Sequence, residues 1–283
     1  MENILEINNL SKSFPGFRLD NINIALPKGS IMGFVGENGA GKSTTIKLIL
    51  NLLKRDQGEI KIFGLDNLRY ETELKEKIGV VFDESNFPEN MRAKEVNQVM
   101  KNIYRNWDEK AFHNYLSLFN LPLTKAIKEY SRGMKMKLSL AVALSHQAQL
   151  LILDEATSGL DPVIRDEILD IFLDFMQNEE HGIFISSHII SDLEKIADYI
   201  AFIHQGHIIL SETKDSLLYN YGVLKCSSAE YEQIPRDLII GSRKHKFGVE
   251  ALVEKNKLRG NNYTIDQVSL EEIMLFISRG AKE

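Results

Sequence analysis

The chain has 283 residues, and its 34 Lys and Arg residues against 40 Asp and Glu residues give a net charge of −6. This balance disfavours a general electrostatic grip on nucleic acid or on an anionic membrane surface. The length is enough for a full α/β domain and a smaller second unit, and the single cysteine, Cys226, excludes an intrachain disulfide and favours an intracellular setting.

The first third of the chain is predicted to form mainly β-strands, separated by turn signals such as Pro15-Gly16 and Asp56-Gln57-Gly58. The N-terminal residues alternate too strictly between apolar and polar side chains for a secretion signal. A membrane span needs about 18 to 20 consecutive apolar residues, and the apolar runs here have the length of strands. Strands are predicted at residues 4–9, 20–26, 31–35, 59–63 and 78–82, with one helix over residues 42–53.

In the middle of the chain, strands alternate with helices, which favours a parallel sheet covered on both faces. The predicted elements are helices over 93–118, 131–144, 162–176 and 189–197, strands at 150–153 and 183–186, and a hairpin over 199–210. From about residue 217 the segments are short and polar, which predicts a small α+β appendage. Its clearest element is a helix that follows a capping box of Ser269 and Glu272 and ends near Gly280.

Residues 36–44 read GENGAGKST and match the pattern G-x-x-x-x-G-K-[ST] between an apolar strand and a helix. In such a loop the glycines let backbone N–H groups point at phosphate, the lysine reaches the β- and γ-phosphates, and the hydroxyl binds Mg²⁺. The alternative is a glycine-rich turn without a ligand. The candidate nucleotide-binding residues are Gly36, Glu37, Asn38, Gly39, Ala40, Gly41, Lys42, Ser43 and Thr44.

Two acids follow the buried strand at 150–153. Asp154 suits a role in holding Mg²⁺ through water, together with Ser43, and Glu155 can orient and deprotonate an attacking water. A pair of acids at a strand end is often only solvated, so this prediction depends on the phosphate loop beside it. The sequence therefore predicts catalytic roles for Glu155 and Lys42.

Taken together, these motifs resemble the nucleotide-binding subunit of ABC transporters over residues 1 to about 215. SGLD at 158–161 is similar to the family's D-loop, so the resemblance implies that Asp161 is a nucleotide contact, and SSH at 186–188 is similar to its switch histidine. The resemblance implies that His188 contacts the γ-phosphate and that Phe14 stacks on adenine. Without the resemblance, His188 would be interpreted as a solvated side chain and Phe14 as a core residue at a strand end.

YSRGMK at 130–135 lies where the family has its LSGGQ signature. The resemblance implies that Ser131 and Gly133 contact ATP held by a second subunit in a head-to-tail dimer, either a homodimer or a heterodimer. Arg132 departs from the family's glycine. It is expected either to reach the partner's phosphates or to line the dimer interface, while the following Lys135 and Lys137 are consistent with ordinary solvated charges.

At the position of the family's Q-loop glutamine this chain has Asp83, which is shorter and negatively charged. We expect Asp83 to approach Mg²⁺, since a carboxylate coordinates the ion directly or through water. Asp83 is therefore a candidate for both nucleotide and metal binding.

The resemblance implies an α/β fold with a P-loop NTPase core and parallel sheet, an antiparallel β subdomain, a helical subdomain over about 84–146, and the C-terminal appendage. The ATPase domain is predicted to cover 1–215 and the accessory domain 216–283. In the loop over 84–94, the side chains of Phe87, Pro88 and Met91 either contact a membrane subunit or pack internally.

The leading functional hypothesis is an ATP-hydrolysing subunit, with ATP and Mg²⁺, that drives export of a small molecule, peptide or lipid through integral membrane permease subunits. Such a protein would be cytoplasmic and peripheral on the inner face of the cell membrane, and no nucleic acid is expected. The alternative is a soluble ABC ATPase that acts on ribosomes or nucleic acid.

A GTPase is disfavoured because no N-K-x-D motif occurs: Asn256-Lys257 precedes Leu258-Arg259. Metal binding by His204 and His207 would need further ligands.

Overall fold

The fold is taken from a computed structural model, which describes residues 2–83, 87–258 and 263–280. The first three residues of the predicted loop at 84–94 lie outside the described residues.

The strands and helices follow one another closely along the chain. In chain order they are β1 (Asn3–Phe14), β2 (Phe17–Pro27), β3 (Ser30–Val35), α1 (Lys42–Ile49), β4 (Gln57–Ile62), β5 (Leu65–Asp66), α2 (Glu71–Lys75), β6 (Ile78–Val81), α3 (Ala93–Ile103), α4 (Glu109–Leu118), α5 (Arg132–Leu144), β7 (Leu150–Asp154), α6 (Pro162–Phe175), β8 (Gly182–Ser187), α7 (Ile190–Ile196), β9 (Tyr199–His204), β10 (His207–Thr213), α8 (Lys214–Asn220), β11 (Tyr221–Cys226), α9 (Ser228–Tyr231), β12 (Ile239–His245), β13 (Gly248–Glu254), β14 (Ile265–Asp266) and α10 (Leu270–Gly280).

The central sheet has the strand order β10-β9-β3-β8-β7-β6. Its strands run parallel, apart from β10, which pairs antiparallel with β9 in the predicted hairpin. Every residue of β7 and β8 is buried, as expected for parallel strands covered on both faces. The predicted α/β fold class is confirmed.

The two faces of the central sheet belong to different parts of the core. Alternate residues of one strand point to opposite faces: Leu151 and Leu153 pack with the helices around α5 and α6, whereas Leu150 and Ile152 pack against α1 and the first antiparallel sheet. That antiparallel sheet has the order β2-β1-β4-β5. The hairpin of β1 and β2 turns at Pro15-Gly16, where Phe14 pairs with Phe17.

Helices α3, α4 and α5 lie in sequence between β6 and β7 and pack on one another. The helical pattern predicted over 93–118 is two helices, because the chain leaves α3 after Ile103 and the Asp108 carboxylate caps α4 by accepting from the Ala111 N–H at 2.8 Å. Phe87 and Met91 are partly buried against this core, whereas Pro88 is exposed. Of the two alternatives expected for this loop, Phe87 and Met91 therefore show internal packing, and Pro88 does not.

The C-terminal part contains an antiparallel sheet of order β12-β13-β11-β14 and helix α10. The predicted capping box is confirmed, since the Ser269 N–H donates to the Glu272 carboxylate at 3.0 Å and the Glu272 N–H donates to the Ser269 hydroxyl at 3.2 Å. Apolar residues of α10, among them Ile273 and Phe276, are buried in the same core as residues of α6 and α7.

Candidate nucleotide site

The phosphate loop connects the end of β3 to the start of α1. Its glycines are required by space and by backbone angle. A Cβ on Gly36 would lie 2.3 Å from the carbonyl oxygen of Ile203 in β9, and Gly41 precedes α1 with a φ of 118°. Because only glycine adopts that angle without strain, the sequence allows the chain to turn directly into a helix whose first N–H groups face the loop.

Lys42 is the first residue of α1 and only 6 % exposed. Its ammonium group donates to the carbonyl oxygen of Gly36 at 2.7 Å and lies 3.3 Å from a carboxylate oxygen of Glu155. A buried cation with these neighbours is held at the inner end of the loop, which is where an anionic group bound by the loop would lie.

Glu155 follows β7 with a left-handed backbone, φ 54°. Residues with such backbone conformations cost free energy and occur often at active sites. The Glu155 N–H donates to both the carbonyl oxygen and the hydroxyl of Ser186 at 3.1 Å. Its carboxylate is hydrogen-bonded to Nδ1 of His188, at the end of β8. The ends of the adjacent parallel strands β7 and β8 thus place Glu155 and His188 together, next to Lys42 at the start of α1.

Asp154 is the last residue of β7 and is almost fully buried. The Ser186 hydroxyl donates to its Oδ1 at 2.6 Å, so the carboxylate is fixed directly beside Glu155. Among the described residues no group of three or more His, Cys, Asp or Glu side chains is arranged to hold a metal ion. A metal here would need oxygen atoms from other sources, such as hydroxyl groups, water or phosphates.

A cavity of about 700 Å³ opens beside the phosphate loop. Most of the predicted site residues lie in its wall, and three further residues that line it were missed as site residues: Gly16, Phe17 and Ser158. The predicted residues in the wall are Glu37, Asn38, Gly39, Gly41, Lys42, Ser43, Thr44, Asp83, Glu155 and His188. Gly36 and Ala40 are buried behind it.

The cavity wall contains the ring of Phe17 and does not include that of Phe14. Phe14 is 37 % exposed, and its ring centroid lies 6.4 Å from that of Phe17 across the β1–β2 turn. The signal for Phe17 was present in the sequence, because an aromatic residue directly after Pro15-Gly16 pairs with Phe14 in a hairpin. Phe17 lies against the phosphate loop, since a Cβ on Gly41 would lie 3.2 Å from its ring.

Three further predicted nucleotide contacts, at the starts of α5 and α6, also lie outside this cavity wall. Ser131 caps α5 as predicted, since its hydroxyl accepts from the Met134 N–H at 3.2 Å. Gly133 is buried, and a Cβ there would lie 2.7 Å from the side chain of Ile164. Asp161 caps α6 by accepting from the Ile164 N–H at 3.1 Å. The starts of α5 and α6 therefore lie side by side, away from the chain's own phosphate loop.

Two of the three basic residues at the start of α5 form ion pairs within the same chain. Arg132 forms an ion pair with Asp83, and Lys137 forms one with Glu167 of α6. Lys137 is mostly covered by its surroundings, so its interpretation as an ordinary solvated charge is wrong.

This arrangement defines a P-loop nucleotide site: a glycine loop, a buried lysine and a strand-end glutamate line one cavity, and a second strand-end acid is buried beside the glutamate. A family model described as ABC transporter matches residues 19–158. Similar proteins include the bacitracin transport ATP-binding protein BcrA of Bacillus licheniformis, 35% identical over 212 residues (74% of this chain and 69% of BcrA). The lantibiotic transport ATP-binding protein SrtF of Streptococcus pyogenes is 37% identical over 216 residues (75% and 92%).

Solved structures agree with these matches. An ATP-binding subunit of an ABC transporter superposes with a TM-score of 0.69 at 25% identity and covers 75% of this chain and 91% of that one. The chain belongs to the ABC transporter family, as an ATP-binding subunit with ATPase activity. Among the residues that the structure describes, no helix has both the length and the apolar character for crossing a membrane.

Proposed function

We propose that this subunit hydrolyses ATP to drive export, through integral membrane permease subunits, of an antibiotic of the bacitracin or lantibiotic kind. Support for the substrate class comes from the relatives named for transport of these compounds. Within the classes expected from the sequence, this favours an antibiotic over a lipid. The subunit would then act at the inner face of the membrane, bound to its permease.

The observation that carries the catalytic proposal is the position of Glu155 in the cavity wall, bonded to His188 and 3.3 Å from Lys42. We assign Glu155 as the base that orients and deprotonates the attacking water. Lys42 binds the β- and γ-phosphates in place of its present contact with the Gly36 carbonyl. His188 holds the Glu155 carboxylate and is assigned to contact the γ-phosphate.

The residues proposed for Mg²⁺ are Ser43, Asp154 and Asp83. Their hydroxyl and carboxylate oxygens are the donors that Mg²⁺ prefers, and the ion usually takes one or two carboxylates, phosphate oxygens and several waters. This fits a site with few protein carboxylates. When bound, Mg²⁺ neutralises charge that develops on the phosphates.

We assign Ser131, Gly133 and Asp161 to contacts with a second ATPase subunit, identical or related. Support comes from their position at adjacent helix starts outside the chain's own cavity. Helix α5 has 13 residues and a capped N-terminus, which favours an anion such as a γ-phosphate. In a head-to-tail pair, each subunit would complete the site of the other.

The surface proposed for the permease is a groove of about 420 Å³ between α2, β6 and the end of α3. Leu52 and Ile103 in its wall are 56% and 57% exposed, and Phe82, next to Asp83, also lines it. Exposed apolar side chains in one groove are typical of a protein–protein contact. A helical segment of a membrane subunit fits such a groove.

We further assign residues 1–215 to the ATPase domain, 84–146 within it to the helical subdomain, and 216–283 to an accessory domain. Support comes from the separate antiparallel sheet β11–β14 of the C-terminal part and from the grouping of α3, α4 and α5.

The test is a comparison of Glu155→Gln with wild type. The variant should bind ATP with near wild-type affinity, hydrolyse it at least about 100-fold more slowly, and form a dimer in Mg²⁺-ATP, since the base is removed while the phosphate contacts stay. Equilibrium binding, steady-state ATPase assays and sedimentation measure these three properties. Leu68→Gln, at an exposed residue outside the cavity, is the control. Wild-type turnover in Glu155→Gln would refute the catalytic assignment.

A further inference from the structure

The two positions at which this chain replaces a neutral family residue by a charged one are in contact. Asp83 stands in place of the Q-loop glutamine and Arg132 in place of a signature glycine. Although they are 49 residues apart in sequence, the Arg132 guanidinium donates to Oδ1 of Asp83. The two opposite charges are therefore in direct contact beside the nucleotide cavity.

Stability does not explain this pair. The side chains of Arg132 and Asp83 are 49% and 45% exposed, and an ion pair between exposed side chains contributes roughly 0 to 1 kcal/mol to folding. The location of the pair is more informative. Asp83 lies in the wall of the nucleotide cavity, together with Lys42 and Ser43 of the phosphate loop.

The Arg132 side chain also lies against a second segment, the loop that follows β7. Gly159 has a left-handed backbone, φ 65°, and a Cβ there would lie 2.5 Å from Nη1 of Arg132. Gly159 belongs to the loop that follows Glu155 and contains Ser158, which lines the cavity. The guanidinium thus lies between Asp83, two residues after β6, and the loop that follows β7.

Charge explains why such a partner is useful. A carboxylate in the wall of a triphosphate site repels the phosphates: at 4 Å two unit charges interact by about 1 kcal/mol in bulk water and about 4 kcal/mol near a protein surface. A glutamine in this place causes no repulsion. With aspartate, a fixed cation at the carboxylate offsets the added negative charge, and arginine, which stays protonated, is suited to that role.

We propose that Arg132 is a positioning residue for the chain's own nucleotide site: it holds and neutralises Asp83, so that an acidic residue is compatible with a bound triphosphate. This rests on the proposed location of ATP in the cavity beside the phosphate loop. It differs from the two roles expected for Arg132 from sequence, both of which concern the partner subunit.

The experiment is a double-mutant cycle on the full chain. Arg132→Gly should raise the Kd for ATP about tenfold, because the carboxylate of Asp83 is left without its partner. In the Asp83→Gln background the same Arg132→Gly change should raise the Kd less than threefold. An equal factor in both backgrounds would overturn the proposal, since residues without an interaction have additive effects.

Further measurements distinguish a loss of ATP binding caused by charge repulsion from one caused by the metal, by any charge change on α5 or by misfolding. The tenfold loss should shrink at high salt, because screening weakens charge repulsion. It should also persist in EDTA; a loss seen only with Mg²⁺ would show that Arg132 acts through the bound metal and would overturn its role in offsetting the charge of Asp83 at the triphosphate. Lys135→Gly, which removes a nearby charge of α5 outside the cavity wall, should leave the Kd within twofold. Thermal unfolding of all variants identifies any loss that comes from misfolding.

Lys42→Ala, measured in parallel, distinguishes a failure of the proposed nucleotide site from a failure of the charge pair alone. If Lys42→Ala binds ATP like wild type, the cavity is not the nucleotide site and the proposed function fails with this inference. If Lys42→Ala loses ATP binding while Arg132→Gly has the same effect in both backgrounds, only the charge pair fails.

Discussion

At the scale of single residues, His146 is a buried histidine outside the candidate site. Its ring stacks on Tyr104 at 3.9 Å, and its nitrogens lie 3.1 Å from the carbonyl oxygens of Val142 and Ile78. A neutral ring donates to one of these oxygens only. Burial lowers the pKa of His146 below its ordinary value of 6.5, although the two carbonyl oxygens favour the protonated form.

This shift predicts how stability depends on pH. The pKa of His146 is lower in the folded chain, so the unfolded chain takes up the proton first as the pH decreases. The contribution of His146 to the free energy of unfolding is therefore fully present above about pH 6.5 and is lost as the pH falls below that value. His146→Gln should flatten this fall between pH 7 and 5 in urea unfolding experiments. His207→Gln, at an exposed histidine, should keep the wild-type slope; the same slope in His146→Gln would disprove the assignment.

The proposed adenine contact of Phe14 predicts a loss that depends on the base. Phe14→Ala should weaken ATP binding about tenfold, because stacking of a base on an aromatic ring contributes about 1 to 3 kcal/mol, and should leave binding of inorganic tripolyphosphate unchanged. Calorimetric titration of both ligands measures this. Phe247→Ala, at an aromatic residue that is 94% exposed, is the control. If Phe17→Ala alone shows the selective loss, Phe17 is the adenine contact.

The sequence was sufficient to predict which residues of contiguous motifs lie near one another. Lys42 and Glu155 line one cavity together with most of the phosphate loop, and Asp154 lies directly beside Glu155. The partner of Arg132 could not be predicted, since it lies 49 residues away and is set by how α5 packs beside β6. Long-range pairs of this kind depend on tertiary packing, which local patterns do not encode.

At the scale of elements, the groove at the end of α3 predicts where the permease binds. Ile103→Glu should abolish co-purification of an integral membrane polypeptide with the tagged chain from detergent extracts, because a buried unpaired charge is costly at an apolar contact. ATP binding by the purified subunit should be unchanged.

Leu118→Glu provides the matched control. It introduces the same charge at another exposed apolar residue of the same helical group, outside the groove, and should retain the membrane polypeptide. Recovery of ribosomes or nucleic acid in place of a membrane polypeptide would contradict the transport function and favour a soluble ABC ATPase.

Element boundaries show what periodicity can and cannot predict. The strand at 31–35 and the helix after Ser131 were located correctly because apolar spacing and a capping residue coincide there. The break between α3 and α4 was missed. Its signal, the capping carboxylate of Asp108, lies inside a stretch whose apolar spacing continues on both sides.

At the scale of the whole molecule, the C-terminal part shares its core with the ATPase part. Phe276 of α10 is 3% exposed and belongs to the same cluster as Leu169 of α6 and Leu193 of α7. In addition, the Leu270 N–H donates to the carboxylate of Glu194 in α7 at 3.0 Å. The two parts are therefore expected to unfold in one cooperative transition.

Phe276→Ala should lower the free energy of unfolding by about 3 to 5 kcal/mol, because it removes a buried ring from this shared core. Leu275→Ala, on the exposed side of the same helix, should cost much less. Calorimetry measures both. Two separate transitions in the wild type, with only the smaller one shifted by Phe276→Ala, would show that the C-terminal part has an independent core.

The docking of α10 also limits how this protein can be recombined with its relatives. A chimera that exchanges residues 216–283 for the corresponding segment of another transporter subunit keeps α7 but loses its complementary surface on α10. Such a hybrid needs both sides of this contact from one parent, including Glu194 and the apolar residues that face Phe276. The natural crossover point for an engineered hybrid therefore lies before α7, within the ATPase sequence, and not at the apparent start of the appendage.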